Sequence, residues 1–373
     1  MRTLKKSFLA AFTSFAIASI SYAGQFTIGA QYQGWNLLSS KPFSGWEVLA
    51  PVSLSFNLDR GWSLYGQCEF ASGHYTTETE TLDLNHPSDT ILGNRIDFKN
   101  FGLPAVLNLE FSLPTGDPTW ESQATQISAN IPTAYVESRY RSRGFGVNAM
   151  YGLAFPMGSG QLSTAVGYLY SGKYSPDASD PSVDRKLGDS IFFSLNHVLS
   201  MKGGQKQIIR ASSYLFLSTQ ETGVDIFRMG PNFNASFTWF NPEAFSIELG
   251  GQYYLPAQRL ISGSLTTEPQ NSYGPRFYVY PSYTFGDFTL AARGKYILAN
   301  GYSSGDTLYD AGGFLFGVEP SFRIKMDESS SLRLSASYDG IVALKAGLDE
   351  DTSEKIDSNY NRWTFGTSYE IKL

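Results

Sequence analysis

The sequence predicts an all-β protein, a single transmembrane antiparallel β-barrel of about sixteen strands. Three observations lead there. Apolar and polar residues alternate along nearly the whole chain, as Leu332, Leu334, Ala336 and Tyr338 do with Arg333, Ser335, Ser337 and Asp339. A period of two describes strands with one apolar and one wet face. Strand-like segments follow one another with nothing helical between them, and a stretch resembling a secretory leader precedes them. In an exported chain of this kind the apolar faces meet lipid and the polar faces meet a hydrated interior.

Residues 1–23 read as a signal peptide, leaving 24–373 as the barrel. Arg2, Lys5 and Lys6 form its cationic start, Phe8 to Ile20 its apolar stretch, and Ser21-Tyr22-Ala23 its small-residue cleavage triplet. No later segment holds about 18 consecutive apolar residues, so a chain that crosses a membrane must do so with strands. The formal charge of −6 and pI near 5.2 argue against nucleic acid as a partner. The lone Cys68 excludes a disulfide framework. It alternates with Trp62, Leu64 and Phe70, which places it on the lipid face as a small hydrophobe.

In chain order, Phe26–Trp35 opens the barrel. Asp59-Arg60-Gly61 joins Trp46–Leu58 to Trp62–Gly73 in a tight hairpin, with Gly61 where a left-handed backbone is needed. His74–Gly93 reads as a long polar loop. Asn94–Leu113 is either one long strand or two short ones broken at Pro104. Thr115–Asn130 and Lys173–Arg185 are long loops, and Arg141–Gly144 is a short turn. From Leu187 onward nine strands follow, joined by short turns at Lys202–Lys206, Asn241–Ala244, Gly286-Asp287 and Asp327–Ser330. Long segments at Arg259–Tyr273, Gly301–Asp310 and Lys345–Ser358 alternate with those turns. Tight turns on one rim and long loops on the other are the asymmetry of outer-membrane barrels. A single-chain bacterial barrel needs an even strand number; sixteen fits best, and fourteen or eighteen also fit.

The clearest hairpin is Phe277 to Leu298. Phe277, Val279, Tyr283, Phe285, Phe288 and Leu290 share the outer face. Pairing Phe285 with Phe288 sets Tyr280 opposite Arg293 and Tyr278 opposite Lys295 on the wet face. The last segment puts Trp363, Phe365, Tyr369, Ile371 and Leu373 on one side. It resembles the C-terminal signature that the outer-membrane assembly machinery recognises, although that signature usually ends in Phe. A terminal strand must pair with Phe26–Trp35 to leave no open edge in lipid. Trp35, Trp46, Trp62, Trp239 and Trp363 lie near strand ends and suit aromatic girdles at the lipid headgroups.

Enzyme signals fail. Gly167 to Tyr174 nearly matches a phosphate-binding loop, but Tyr174 replaces the hydroxyl residue that would hold magnesium, and the stretch reads as strand. Three histidines exist. His74 and His86 share a loop with Asp83 and Asp89, and His197 stands apart, so no catalytic or zinc arrangement, and no cofactor, has support. Alternation assigns Arg210, Glu248, Arg293, Lys295, Glu319, Arg323, Lys325, Arg333, Asp339, Glu370 and Lys372 inward, because Arg or Lys on the lipid face costs about 2–4 kcal/mol. The hairpin at Asp327–Ser330 allows two registers, one setting Arg323 against Arg333 and the other Glu319 against Asp339. Either juxtaposes like charges, which a water-filled lumen screens.

The expectation is that Arg293, Arg323 and Arg333, with Tyr280 and Glu319, line a constriction that filters small solutes. An inert network of ion pairs bracing the wall would use the same residues. Asp349, Glu350, Asp351, Glu354 and Asp357 could bind cations bridging lipopolysaccharide phosphates, or simply be solvated.

Val106 to Asp117, ending Leu113-Pro114-Thr115-Gly116-Asp117, resembles a passage in outer-membrane proteins of the MetA pathway of phenol degradation, relatives of FadL-type channels for hydrophobic substrates. The resemblance implies an outer-membrane transporter for small solutes, aromatic or hydrophobic ones among them. It departs at Phe26, where a strand begins at once instead of a hatch segment. A different class of function also fits the chain: a structural barrel with a plugged lumen that binds partners through its long loops.

Overall fold

Sixteen staves close a cylinder in the computed structural model. The structure describes residues 24–38, 43–58, 61–76, 81–117, 144–175, 182–241, 244–261, 264–269, 274–298, 302–304, 307–309, 313–343, 348–349 and 359–372. The predicted leader and the acidic run from Glu350 to Asp357 lie outside these residues.

The staves are β1 (Gly24–Leu38), β2 (Phe43–Leu58), β3 (Trp62–Thr76), β4 in two pieces (Thr81–Pro87 and Thr90–Asn100), β5 (Leu103–Leu113), β6 (Gly146–Met157), β7 (Gly160–Ser171) and β8 (Ser190–Ser200). They continue as β9 (Lys206–Phe216), β10 (Asn232–Phe240), β11 (Phe245–Tyr254), β12 (Gly274–Phe285), β13 (Phe288–Ile297), β14 (Gly313–Lys325), β15 (Ser330–Ala343) and β16 (Asn359–Lys372). Each pairs antiparallel with its neighbours in sequence. β16 closes on β1 from Gln25 opposite Lys372 to Leu38 opposite Asn359, so no stave keeps an unpaired edge in lipid. The nine strands expected after Leu187 are β8–β16.

Parity sorts the two faces. Phe277, Tyr283, Phe285, Leu290, Phe322, Trp363 and Phe365 are exposed on the outside, while their sequence neighbours point inward. Phe285 stands opposite Phe288 and Tyr278 opposite Lys295, the register read from the sequence. Around Asp327–Ser330 the chain takes the register with Arg323 opposite Arg333.

Four expectations need correction. The break inside Asn94–Leu113 falls at Phe101-Gly102, not Pro104; both residues have positive φ, 51° and 78°, the geometry of a two-residue hairpin turn. Pro104 then sits inside β5, opposite Lys99. The supposed loop His74–Gly93 is strand: β3 runs to Thr76 and pairs with Thr81–Pro87, so the polar hairpin extends the wall beyond the apolar band. Of Arg141–Gly144, read as a short-rim turn, only Gly144 is among the described residues. Gly144 lies on the long-loop rim, beside Lys173, and the short turn after β6 is Gly158-Ser159 instead. Trp35 is buried at 4% exposure and shares parity with Gln33, not with exposed Tyr32. Parity, not nearness to a strand end, decides which face a tryptophan takes.

On the long-loop rim, Lys173–Tyr174, Arg185–Lys186, Ser218–Glu221, Val224–Arg228, Gln258–Ile261 and Ser264–Pro269 form a second, six-stranded sheet. Two of the predicted loops, Lys173–Arg185 and Arg259–Tyr273, therefore carry pieces of extended structure. The expected resemblance segment acts as a knot. The Thr115 hydroxyl accepts the Thr90 N–H (2.8 Å) and donates to the Ser88 carbonyl (2.8 Å). The Gly116 N–H donates to Asp89 Oδ1 (3.1 Å). Together they hold the interruption between the two pieces of β4.

Candidate functional site

The lumen is the candidate site, and its chemistry is set by what inward parity brings together. One row of residues crosses four staves: Arg293 on β13 opposite Gly317 on β14, Gly317 opposite Asp339 on β15, and Asp339 opposite Arg362 on β16. Gly317 is the opening in this row. A Cβ there would lie 2.0 Å from Asp339 Oδ1, so only glycine lets the carboxylate lean across toward Arg293.

Asp339 is fully buried. Arg362 donates to its Oδ2 through Nη2 (2.7 Å) and Nε (3.0 Å), and Arg293 Nε stands 3.5 Å from Oδ1. Arg293 Nη2 is 3.1 Å from Glu319, which Arg333 approaches at 3.8 Å. The cluster holds three guanidinium groups and two carboxylates, a net positive charge on this wall. Arg293 Nε and Nη2 meet their carboxylates at ion-pair distance without an aligned hydrogen bond, so this guanidinium is held loosely compared with Arg362.

A second patch lies on β9–β12. Arg210 is 3.9 Å from Glu248, Tyr278 donates to Glu248 (3.1 Å), and Tyr280 stacks on Tyr278 with ring centroids 4.7 Å apart. A third is on β3–β6. There Tyr65 donates to Glu110, Asn148 donates to the same carboxylate (2.6 Å), and Asn108 donates to the Tyr65 hydroxyl (3.1 Å). Between β1 and β2, buried Gln33 donates to buried Glu47.

The structure thus brings Arg293, Glu319, Arg333 and Asp339 into one cluster, and Arg210, Glu248 and Tyr280 into another. Lys295 lies on the wall between them, opposite Tyr278 and Leu315. Arg323 joins neither cluster. It sits near the short-turn rim, where its backbone N–H reaches Asp287 (2.9 Å) and its side chain donates to Ser331 (3.1 Å). Arg362, Tyr65, Glu110 and Glu47 were not singled out from sequence, and Tyr278 was read only as inward, opposite Lys295. Parity alone marks Arg362 as inward, since it alternates with Trp363 and Phe365; that its guanidinium closes on Asp339 follows only from the register of β15 on β16.

His74 and Asp83 do meet (2.6 Å), with the Thr76 hydroxyl 3.0 Å from the other ring nitrogen. This resembles a nucleophile relay. However, β3 is paired on both edges up to Thr76, so its backbone N–H groups are committed to the ladders and none is left to hold an oxyanion. His86 lies apart from that pair, 3.5 Å from Asp117. Among the described residues no His, Cys, Asp and Glu grouping suits a metal ion.

No family model matches the chain, and no curated protein matches it. Among solved structures it is similar to Acinetobacter baumannii OccAB1 at 11% identity and a TM-score of 0.51, covering 95% of this chain and 97% of that one. Pseudomonas aeruginosa OpdQ matches at 10% identity and a TM-score of 0.50, covering 94% and 98%. The chain has the fold of the bacterial outer-membrane barrels. Membership of the phenol-degradation family is not shown by these likenesses, and at such identities they speak to fold alone.

Proposed function

We propose that this barrel sits in the bacterial outer membrane and acts as a passive channel for small solutes. The observation that carries the reading is the split of chemistry across one closed wall: exposed Phe, Tyr, Trp and Leu outside, and Arg, Glu, Asp and Tyr inside. Arg293, Glu319, Arg333 and Asp339 form the filter, with Arg362 completing it and Tyr280, Arg210, Glu248 and Lys295 lining the adjoining wall. Arg323 acts at the short-turn rim. Transport needs no covalent step and no cofactor. Selection comes from width and from the net positive field of the cluster.

Small polar or aromatic solutes suit this lumen. Wholly hydrophobic ones do not, because their path passes ionised side chains. Lipids and lipopolysaccharide cover the outer face, and the strand from Trp363 to Leu373 is the handle for the assembly machinery. Liposome swelling and planar-bilayer conductance of the refolded protein test the proposal. Swelling in small sugars and amino acids with ohmic conductance is expected, and an electrically silent barrel overturns it.

A second reading, a plugged barrel that binds partners at its loop rim, draws on one observation. Inward-facing Glu47, Leu49, Ala71 and Asp339 have almost no exposure, so this sector of the lumen is covered. The same conductance measurement separates the two.

A further inference from the structure

Barrel interiors of this type are lined with polar side chains, yet β8–β12 turn aromatic rings inward. Phe192, Tyr214, Asn232 and Tyr254 form one cross-strand row near the long-loop rim. Phe192 and Tyr214 have centroids 5.8 Å apart and planes 29° apart, and Tyr214 and Phe216 lie 6.4 Å and 16° apart. Near-parallel rings at such separations are offset-stacked, so each ring carries on the aromatic surface of the next. Arg276 caps Tyr254 at 4.0 Å. Further along the wall Tyr278 and Tyr280 stack beside Arg293.

Two of the rings lie flat because the neighbouring stave offers glycine. A Cβ on Gly167 would lie 2.1 Å from the Phe192 ring, and one on Gly250 would lie 2.2 Å from the Tyr278 ring. Each ring therefore rests on backbone instead of projecting into the lumen. The row of Tyr280 is that of Ile208, so the path from Phe216 spans eight residue steps along the staves, roughly 27 Å at about 3.4 Å per residue.

Polar groups that favour hydroxyl partners accompany the rings. Asn232, Asn234, Ser212, Ser236 and Gln252 share the inward face of β9–β11. The side-chain oxygens of Asn232 and Asn234 are occluded, so half-buried Ser212, Ser236 and Gln252 are the groups that a solute hydroxyl in the lumen can meet. Aromatic faces beside amides and hydroxyls, with Arg210, Glu248 and Arg276 in the same rows, match a molecule with an apolar ring face and a rim of hydroxyl groups. The C–H bonds of such a ring pack on aromatic faces, while its hydroxyls reach the amides. A flat aromatic acid would use the rings and pair its carboxylate with Arg210 or Arg276, but would leave the hydroxyls and amides unused.

Resting on the channel reading, we propose that the inward aromatic track Phe216–Tyr214–Phe192, leading past Tyr254 to Tyr278 and Tyr280, is a binding path for neutral pyranose sugars, mono- to oligosaccharide in length.

The test is ion-current block in planar bilayers. Maltotriose, benzoate and a polyethylene glycol of matched size are each titrated from the loop side. The expected result is saturable block by maltotriose alone, with half-saturation raised at least five-fold in Tyr214→Ala and in Phe216→Ala. Phe193→Ala, on the outer face of the neighbouring stave β8, should leave it unchanged. Heat-modifiable gel mobility confirms that each variant is folded; if either lumen variant fails to fold, Tyr214→Leu, which keeps bulk but loses the ring, replaces it. Saturable block by benzoate but not maltotriose overturns the sugar assignment, and block no greater than that of polyethylene glycol overturns the track as a site. A channel that conducts salt yet shows neither block refutes this inference and leaves the channel reading standing. A protein that conducts nothing refutes the channel reading itself.

Discussion

Replacing Arg293 with Gln removes one cation from the cluster of three guanidinium and two carboxylate groups while keeping most of the side-chain volume. Arg293 is the residue to change because it holds Glu319 and Asp339 at 3.1 and 3.5 Å without aligned hydrogen bonds, and Arg362 still anchors Asp339 when it is gone. A unit charge about 7 Å from a permeating ion in water shifts its energy by about 0.6 kcal/mol, close to RT. Screening at 0.1 M salt, where the Debye length is about 10 Å, roughly halves this. Cations gain and anions lose by the same amount, so the cation-to-anion permeability ratio rises about three-fold. Reversal potentials across a ten-fold salt gradient measure that ratio directly, and the effect should shrink at about 1 M, where the Debye length is about 3 Å. A ratio unchanged within 1.3-fold (about 0.15 kcal/mol) at 0.1 M, in a variant with normal gel mobility, would refute the claim that this cluster faces the permeation path.

Four further outcomes follow from the same geometry. Phe365→Arg places a cation on the lipid face and should cost about 2–4 kcal/mol, read as a lower urea midpoint for unfolding from vesicles. Thr115→Val removes a hydroxyl that makes three hydrogen bonds across the interruption in β4; a loss of about 1 kcal/mol, with faster proteolysis near Asp89, is expected. Gly250→Ala forces the Tyr278 ring off the wall, lowering both stability, by about 1–3 kcal/mol, and single-channel conductance. Asp327, in a short-rim turn outside the membrane, is held below the usual carboxylate range by hydrogen bonds from Ser329 and Ser330. Its folded pKa is depressed, so its contribution is present above the unfolded value and lost as pH falls through the folded one. Asp327→Ala should thus be less stable than wild type near neutrality in a urea titration, with the difference shrinking as acid protonates the wild-type carboxylate.

The sequence by itself determined the strand period, the inward parity of Arg293, Glu319, Arg333 and Asp339, the nine staves after Leu187 and the closure of the last strand on the first. Each of these is local, or follows from the demand that no backbone group stay unpaired in lipid. It could not place the turn in Asn94–Leu113, because Phe101 is a residue that rarely takes a left-handed backbone and Pro104 looked like the stronger break. Nor could it tell that Trp35 turns inward, since a tryptophan near a strand end suits either face.

The tertiary structure alone decided which inward charges meet. The stagger between staves sets Asp339 against Arg362, lets Arg293 reach across Gly317, and leaves Arg323 at the rim beside Ser331. Stagger is a property of the closed cylinder: sixteen strands must share one tilt, and no single segment carries that information.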